Sequence, residues 1–155
     1  MATYIAKNGS ELVKMMKQAG LKQMVEKIGD DVKYLIKAYM EECYYGRYSP
    51  LFYKRTFQLL NSVTTSKVRE TANGYEITVF IDIDSIHYND AGYEEEIVWL
   101  ASQGFHGSGS IYEQGEFWVE AMQELDAGYI AKKFGEYMKG KGWNVTTTHS
   151  SGLAK

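Results

Sequence analysis

From Leu21 onward, apolar residues return every three or four positions: Leu21, Met24, Val25, Ile28, Val32, Leu35, Ile36, Tyr39, Met40 and Cys43. That recurrence lines one face of a helix of about 25 residues. Gly29 lies inside the stripe and costs roughly 1 kcal/mol relative to alanine. Asp30 and Asp31 could recap the chain there, but the stripe keeps its phase, so the pattern predicts one long helix. Ahead of it, Ser10 reads as the N-cap of a shorter helix, ELVKMMKQAG, which Gly20 ends or interrupts. The lone proline, Pro50, removes a backbone donor and disfavours helix at Ser49. The long helix should therefore be finished by about Tyr48.

Beyond the proline, Leu51 to Leu60 reads as a short helix or turn, and then the periodicity changes. Tyr75, Ile77, Val79, Ile81 and Ile83 alternate with Glu76, Thr78, Phe80, Asp82 and Asp84, which describes a strand with one buried face. Asn73-Gly74 is a turn signal that pairs it with the threonine- and valine-rich run 62–69 in a hairpin. Val63 and Val68 fall on opposite parities in that partner strand, a mismatch that a bulge or an edge position accounts for. Asn89 or Asp90 could cap a short helix through Tyr93, Ile97 and Leu100 that ends at Gly104. A glycine-rich loop, GFHGSGSIYEQG, follows it.

The last helix is predicted from about Glu116 to Lys139. Its stripe begins as Trp118, Met122, Leu125 and Tyr129, then drifts to Ile130, Phe134, Tyr137 and Met138. At about 100° per residue that drift gives the helix a second apolar face, as contact with a neighbouring subunit would require. The whole pattern reads as one α+β domain over 1–143, a long N-terminal helix and a C-terminal helix packed on a small antiparallel sheet with a hairpin. Residues 1–20 form a helical extension, and the polar tail 144–155 is expected to be mobile unless a partner orders it.

Composition narrows the function. The length of 155 residues suits one domain, and apolar (45%) and charged (24%) fractions are ordinary for a soluble globular chain. Thirteen tyrosines are an excess, explained either by interfaces or by a small core filled with large rings. A net charge of −3 argues against a dedicated nucleic-acid surface. Cys43 is the single cysteine, which removes disulfides and cysteine-based zinc sites, and its place on the stripe makes it a buried small hydrophobe. Neither a secretory signal nor a membrane span is legible, so the protein is expected in the cytoplasm unless it leaves inside a larger particle.

Catalytic chemistry does not assemble. Asp82, Asp84 and His87 could in principle hold a metal, but two aspartates on the polar face of a strand are ordinary solvated carboxylates. His106 sits among glycines without the lysine and hydroxyl residue of a phosphate loop. Glu94 to Glu96 suit the first turn of a helix. No nucleophile, base and oxyanion donor converge, no cofactor is implied, and the chain is not read as an enzyme. The aromatic and cationic density of Tyr44 to Val63, by contrast, reads as a contact surface. Within it, Phe57, Leu59 and Leu60 are expected to point inward and Arg47, Tyr48 and Arg55 outward. The bland alternative is that the same rings close the core over the helix end.

Three stretches carry a resemblance: PLFYKRTFQLLNSV from Pro50 to Val63, GFHGSG from Gly104, and EFWVEAMQEL from Glu116 to Leu125. With the order of elements between Leu21 and Gly142, the chain resembles the siphophage neck and tail-completion family of small head–tail connectors, in versions from phages of Gram-positive bacteria. Pro50, Thr56, Leu59 or Leu60, and Ser62 match that family's proline, threonine, leucine and serine leading into the first strand. Phe57 stands where the family often has glycine, and its frequent glutamate–phenylalanine–glycine before the loop is absent. The resemblance implies a structural virion protein, assembled in the host cytoplasm into a homo-oligomeric ring between a portal-side adaptor and a tail-tube or tail-terminator protein. Specific nucleic-acid recognition and membrane contact are not implied. Candidate interface residues are Arg47, Tyr48, Pro50, Tyr53, Arg55, Thr56, Ser62, His106, Trp118 and Phe134. The alternatives are a monomeric or dimeric binding or inhibitor module from a mobile element, and a metal-dependent hydrolase using Asp82, Asp84 and His87.

Overall fold

The computed structural model describes residues 7–47, 49, 56–87, 94–103, 105–106, 111–112 and 117–146, with only the backbone described for 94–95, 105–106 and 111–112. Its centre is the helix that the sequence predicts. Helix α1 (Gly9–Gln18) is followed by α2 (Leu21–Tyr39), which buries Leu21, Met24, Ile28, Gly29, Val32 and Ile36. Met40–Tyr45 continue α2 as a π-helix, and the Gly46 N–H closes a five-residue ring on the Glu41 carbonyl at 2.6 Å. The wider turn carries the stripe on through Met40 and Cys43, both buried, and ends before Tyr48 as expected.

The N-cap of α1 is Asn8 rather than Ser10. The Asn8 side chain accepts from the Glu11 N–H at 2.9 Å, and the Glu11 carboxylate accepts from the Lys7 N–H at 2.8 Å. An asparagine two residues upstream can cap as well as a serine, so the sequence left both positions open. Gly20, at φ +89°, ends α1 and starts α2. Buried residues are absent from α1 itself; it rests on α2 through half-buried Met16 and reaches the hairpin through a Lys17–Glu70 ion pair at 2.6 Å.

The hairpin is one antiparallel ribbon. Strand β1 (Val63–Thr65) pairs with β4 (Val79–Ile81), and β2 (Arg69–Thr71) pairs with β3 (Gly74–Glu76). Val63 faces Ile81 in the first ladder and Arg69 faces Glu76 in the second, so the register slips by one residue between them. Ser66 still pairs with Thr78, its N–H donating to the Thr78 carbonyl at 2.8 Å, which places the extra residue at Lys67–Val68. This bulge is what reconciles the opposite parities of Val63 and Val68. The turn residues are Ala72 and Asn73, one position earlier than Asn73-Gly74, and Gly74 takes φ +153° directly after them. Tyr75, Ile77 and Val79 are better buried than Glu76, Thr78 and Phe80, but Ile81, Asp82 and Ile83 are all half-buried; regular strand stops at Ile81 and a 3₁₀ turn (Ile83–Ser85) drives Ile86 into the core.

Short α3 (Gln58–Asn61) precedes the hairpin, and α4 (Glu94–Ser102) follows it. Part of the glycine-rich stretch read as loop is a small ladder, β5 (Phe105–His106) against β6 (Ile111–Tyr112). The C-terminal helix is not continuous. Helix α5 (Phe117–Asp126) ends at Ala127-Gly128, where Gly128 takes φ +100°, and α6 (Tyr129–Gly140) restarts. The drift of the apolar stripe between Leu125 and Ile130 marks this break. Met122, Leu125 and Tyr129 of the first stripe and Phe134, Tyr137 and Met138 of the second pack on the core, while Trp118 and Ile130 stay exposed. With that correction, the architecture is α+β: helices and an antiparallel ribbon packed around α2.

Candidate functional site

Along α2 the hairpin packs on one side and α5 and α6 on the other. Between them lies an open groove of about 1060 Å³. Its floor is Val25, Ile28, Gly29, Val32 and Ile36 of α2. Tyr75, Ile77 and Val79 of the ribbon's second strand form one wall, and Trp118, Met122, Leu125, Ile130 and Phe134 form the other. The alternation of the strand and the separate stripes of α5 and α6 aim these side chains inward. Trp118 and Ile130 are nevertheless 38% and 48% exposed, a large apolar display for one surface.

A polar clamp holds the second wall to the floor. The Tyr137 hydroxyl donates to the Asp31 carboxylate at 2.8 Å, and Lys133 approaches the same carboxylate at 4.0 Å. Lys27 lies over the Tyr137 ring, 5.5 Å from its centre, and Lys133 over Tyr129 at 5.6 Å. The bond to Asp31, with burial and the carboxylate's charge adding to it, pushes the Tyr137 phenol up to about 12. Burial likewise raises the Tyr129 phenol, against the pull of Lys133.

At the far end of α2, the π-helix brings together an aromatic cluster. Tyr44 and Tyr45 meet edge to face with centroids 5.0 Å apart, Tyr44 meets Phe117 at 6.4 Å, and Tyr45 meets Phe57 at 5.0 Å. Among the described residues, Phe57 is the one non-glycine residue with a left-handed backbone, φ +55°, and its side chain is 41% exposed. It was expected inside. The left-handed turn into α3 swings it out against Tyr45 instead, while Leu59 is buried and Leu60 packs on the core as expected.

Of the candidate interface residues, Arg47 and Thr56 are exposed. Ser62 is not a surface residue: it is 2% exposed, and its hydroxyl donates to the Leu59 carbonyl at 2.7 Å, closing α3 onto β1. Trp118 and Phe134 share the groove, and Phe134 also packs on the core. Tyr48, Pro50, Tyr53 and Arg55 lie outside the described residues, as does the side chain of His106. Cys43 is buried, and that burial raises its thiol against the lowering effect of Arg47. Among the described residues, no three His, Cys, Asp or Glu side chains form a metal-binding group, so Asp82, Asp84 and His87 are not brought together as one. The His87 N–H instead donates to the Gln58 side chain at 2.6 Å, tying the end of the ribbon to α3.

The groove was missed by sequence reasoning. The available signals were a glycine on the buried face of α2, where the Ile77 side chain packs onto the helix, and the drifting stripe, which marked a helix break.

Fold and site together describe a small α+β module with an open apolar groove along α2 and an aromatic cluster at its far end, in which Phe117 is buried and Phe57 exposed. Among the described residues, no helix is long and apolar enough to cross a membrane. A model of the YomN family matches residues 8–140, and the chain belongs to that family, which is phage-derived and of the type carried by Bacillus prophages. Searches of curated proteins and of solved structures gave no match.

Proposed function

We propose that this phage protein is a structural subunit of the head–tail junction, forming a ring that joins a portal-side adaptor to the tail. The observation that carries the reading is the backbone at Phe57. The connector family that the segment 50–63 resembles often has glycine at this position, and Phe57 holds the left-handed conformation that glycine adopts without strain. Phe57 departs from the family's residue, but its left-handed backbone is one that a glycine there would adopt without strain, and this supports the resemblance at that position. An exposed ring held in strained backbone is also the kind of anchor that interfaces use. Mass spectrometry of purified virions, with negative-stain images of the protein alone and with its junction partners, tests the proposal. Rings and a structural copy number in virions support it; absence from virions refutes it.

The groove favours a second reading, a binding module acting on a host protein as a monomer or dimer. A defined complex with a host protein, formed by a protein that virions lack, would select it.

A further inference from the structure

Helix α1 carries an apolar stripe, Leu12, Val13, Met15 and Met16, yet buries none of its residues: Leu12 is 44% exposed and the other three are half-buried. Asn8 caps its first turn, but its ten residues fall short of the roughly 12–15 at which an isolated helix is even marginal in water. Its helical state therefore depends on docking. Gly20, at φ +89°, separates it from α2. The Ala19 N–H closes the last turn of α1 on the Met15 carbonyl at 3.0 Å, and the Met24 N–H opens α2 on the Gly20 carbonyl at 3.2 Å. Helix α1 can thus melt with the α2 ladder intact.

Lys17 holds the docked helix to the ribbon. Its Nζ pairs with Glu70 at 2.6 Å and lies over the Tyr75 ring, 5.3 Å from the centre. Glu70 and Tyr75 face each other across the β2–β3 ladder, so one side chain grips both strands. Beside it, Met16 packs on the cluster of Leu21, Met24 and Met138 at the near end of α2, which Val25, Tyr75 and Val145 also touch. Those last three line the groove. We propose that α1 is a strap with Lys17 as its latch. It docks and releases as a unit while the rest of the fold stays closed, and its release uncovers the cluster at the near end of the groove. The latch is an exposed ion pair, with the side chains of Lys17 and Glu70 28% and 62% exposed, so it is weak and screened by salt, as a strap that lets go requires. The strap is independent of the head–tail reading.

Native-state amide exchange by NMR, with thiol labelling, tests it. The α1 amides from Val13 to Gln18 exchange about 100-fold faster or more than those of Ile28 and Val32, and raising sodium chloride to about 1 M speeds the α1 set alone. Lys17→Gln speeds the α1 amides by about two- to five-fold and removes most of the salt effect, without moving Ile28 or Val32. For the uncovering, a Met24→Cys thiol is labelled about ten-fold faster or more than Cys43, which is buried in the main core, each taken against its rate in the unfolded chain. Should Met24→Cys not fold, exchange in the parent and in Lys17→Gln decides alone. Exchange of α1 at the rate of Ile28 and Val32, or α1 exchange in Lys17→Gln equal to the parent's, overturns the strap. Equal labelling of the two thiols in a folded variant overturns the uncovering.

Discussion

Gly29 provides the sharpest test of how α2 and the ribbon fit. It lies on the buried face of the helix, and a Cβ there would sit 2.5 Å from Ile77 Cδ1, 3.1 Å from Cγ2 and 3.2 Å from Cγ1. Replacing a mid-helix glycine by alanine gains about 1 kcal/mol of helix propensity. Overpacking a close contact costs about 1–3 kcal/mol. The Cδ1 atom can swing into the neighbouring groove, but Cγ1 and Cγ2 move only with χ1 or with the strand. The expected net effect of Gly29→Ala is therefore a loss of about 1 kcal/mol, despite the better helix former. Ile77→Val removes Cδ1, the atom in worst conflict, and by itself costs about 0.5–1.5 kcal/mol. In the Ile77→Val background Gly29→Ala should be neutral or stabilising, a coupling of about 1 kcal/mol. Urea unfolding of the four proteins, followed by circular dichroism and extrapolated linearly, measures this. A gain of the full ~1 kcal/mol by Gly29→Ala alone, or additivity within ~0.5 kcal/mol, would refute the reading that Gly29 is there for close approach.

Three further perturbations follow from the same structure. Phe57→Gly should be more stable than Phe57→Ala by about 0.5–1 kcal/mol in chemical denaturation, because both lose the ring and only glycine relieves the left-handed backbone. Gly128→Ala should cost about 1–2 kcal/mol by forcing a Cβ into φ +100°, whereas Gly140→Ala, where a Cβ meets open space, should not destabilise. Tyr137→Phe should lose about 1–2 kcal/mol at neutral pH with its charge-assisted bond to Asp31. The Tyr137 phenol ionises near 10.0 in the unfolded chain and at about 12 when folded, so its contribution is complete below pH 10 and is lost as pH rises through 12. Stability of the parent should accordingly fall more steeply than that of Tyr137→Phe across that window; parallel curves would contradict the clamp.

The helical stripe from Leu21 to Cys43 and the alternation from Tyr75 to Ile83 were legible because each is a local periodicity with one buried face, so the sequence carries the burial directly. The parity conflict between Val63 and Val68 was legible too, but it left a bulge and an edge position equally open until the register was seen. Capping at Asn8, the turn at Ala72-Asn73 and the break at Gly128 lay within a residue or two of visible signals, but several nearby residues could serve and local chemistry alone does not choose among them.

The sequence by itself determined the class of fold and the identity of the central helix. Only tertiary structure decided that the C-terminal stripe belongs to two helices and that Phe57 faces out while Ser62 faces in. It alone placed Gly29 against Ile77 and opened a groove between the ribbon and α5–α6. The physical reason is distance along the chain: Asp31 and Tyr137, or Gly29 and Ile77, meet through packing, and periodicity records which side of an element is buried but not what it is buried against.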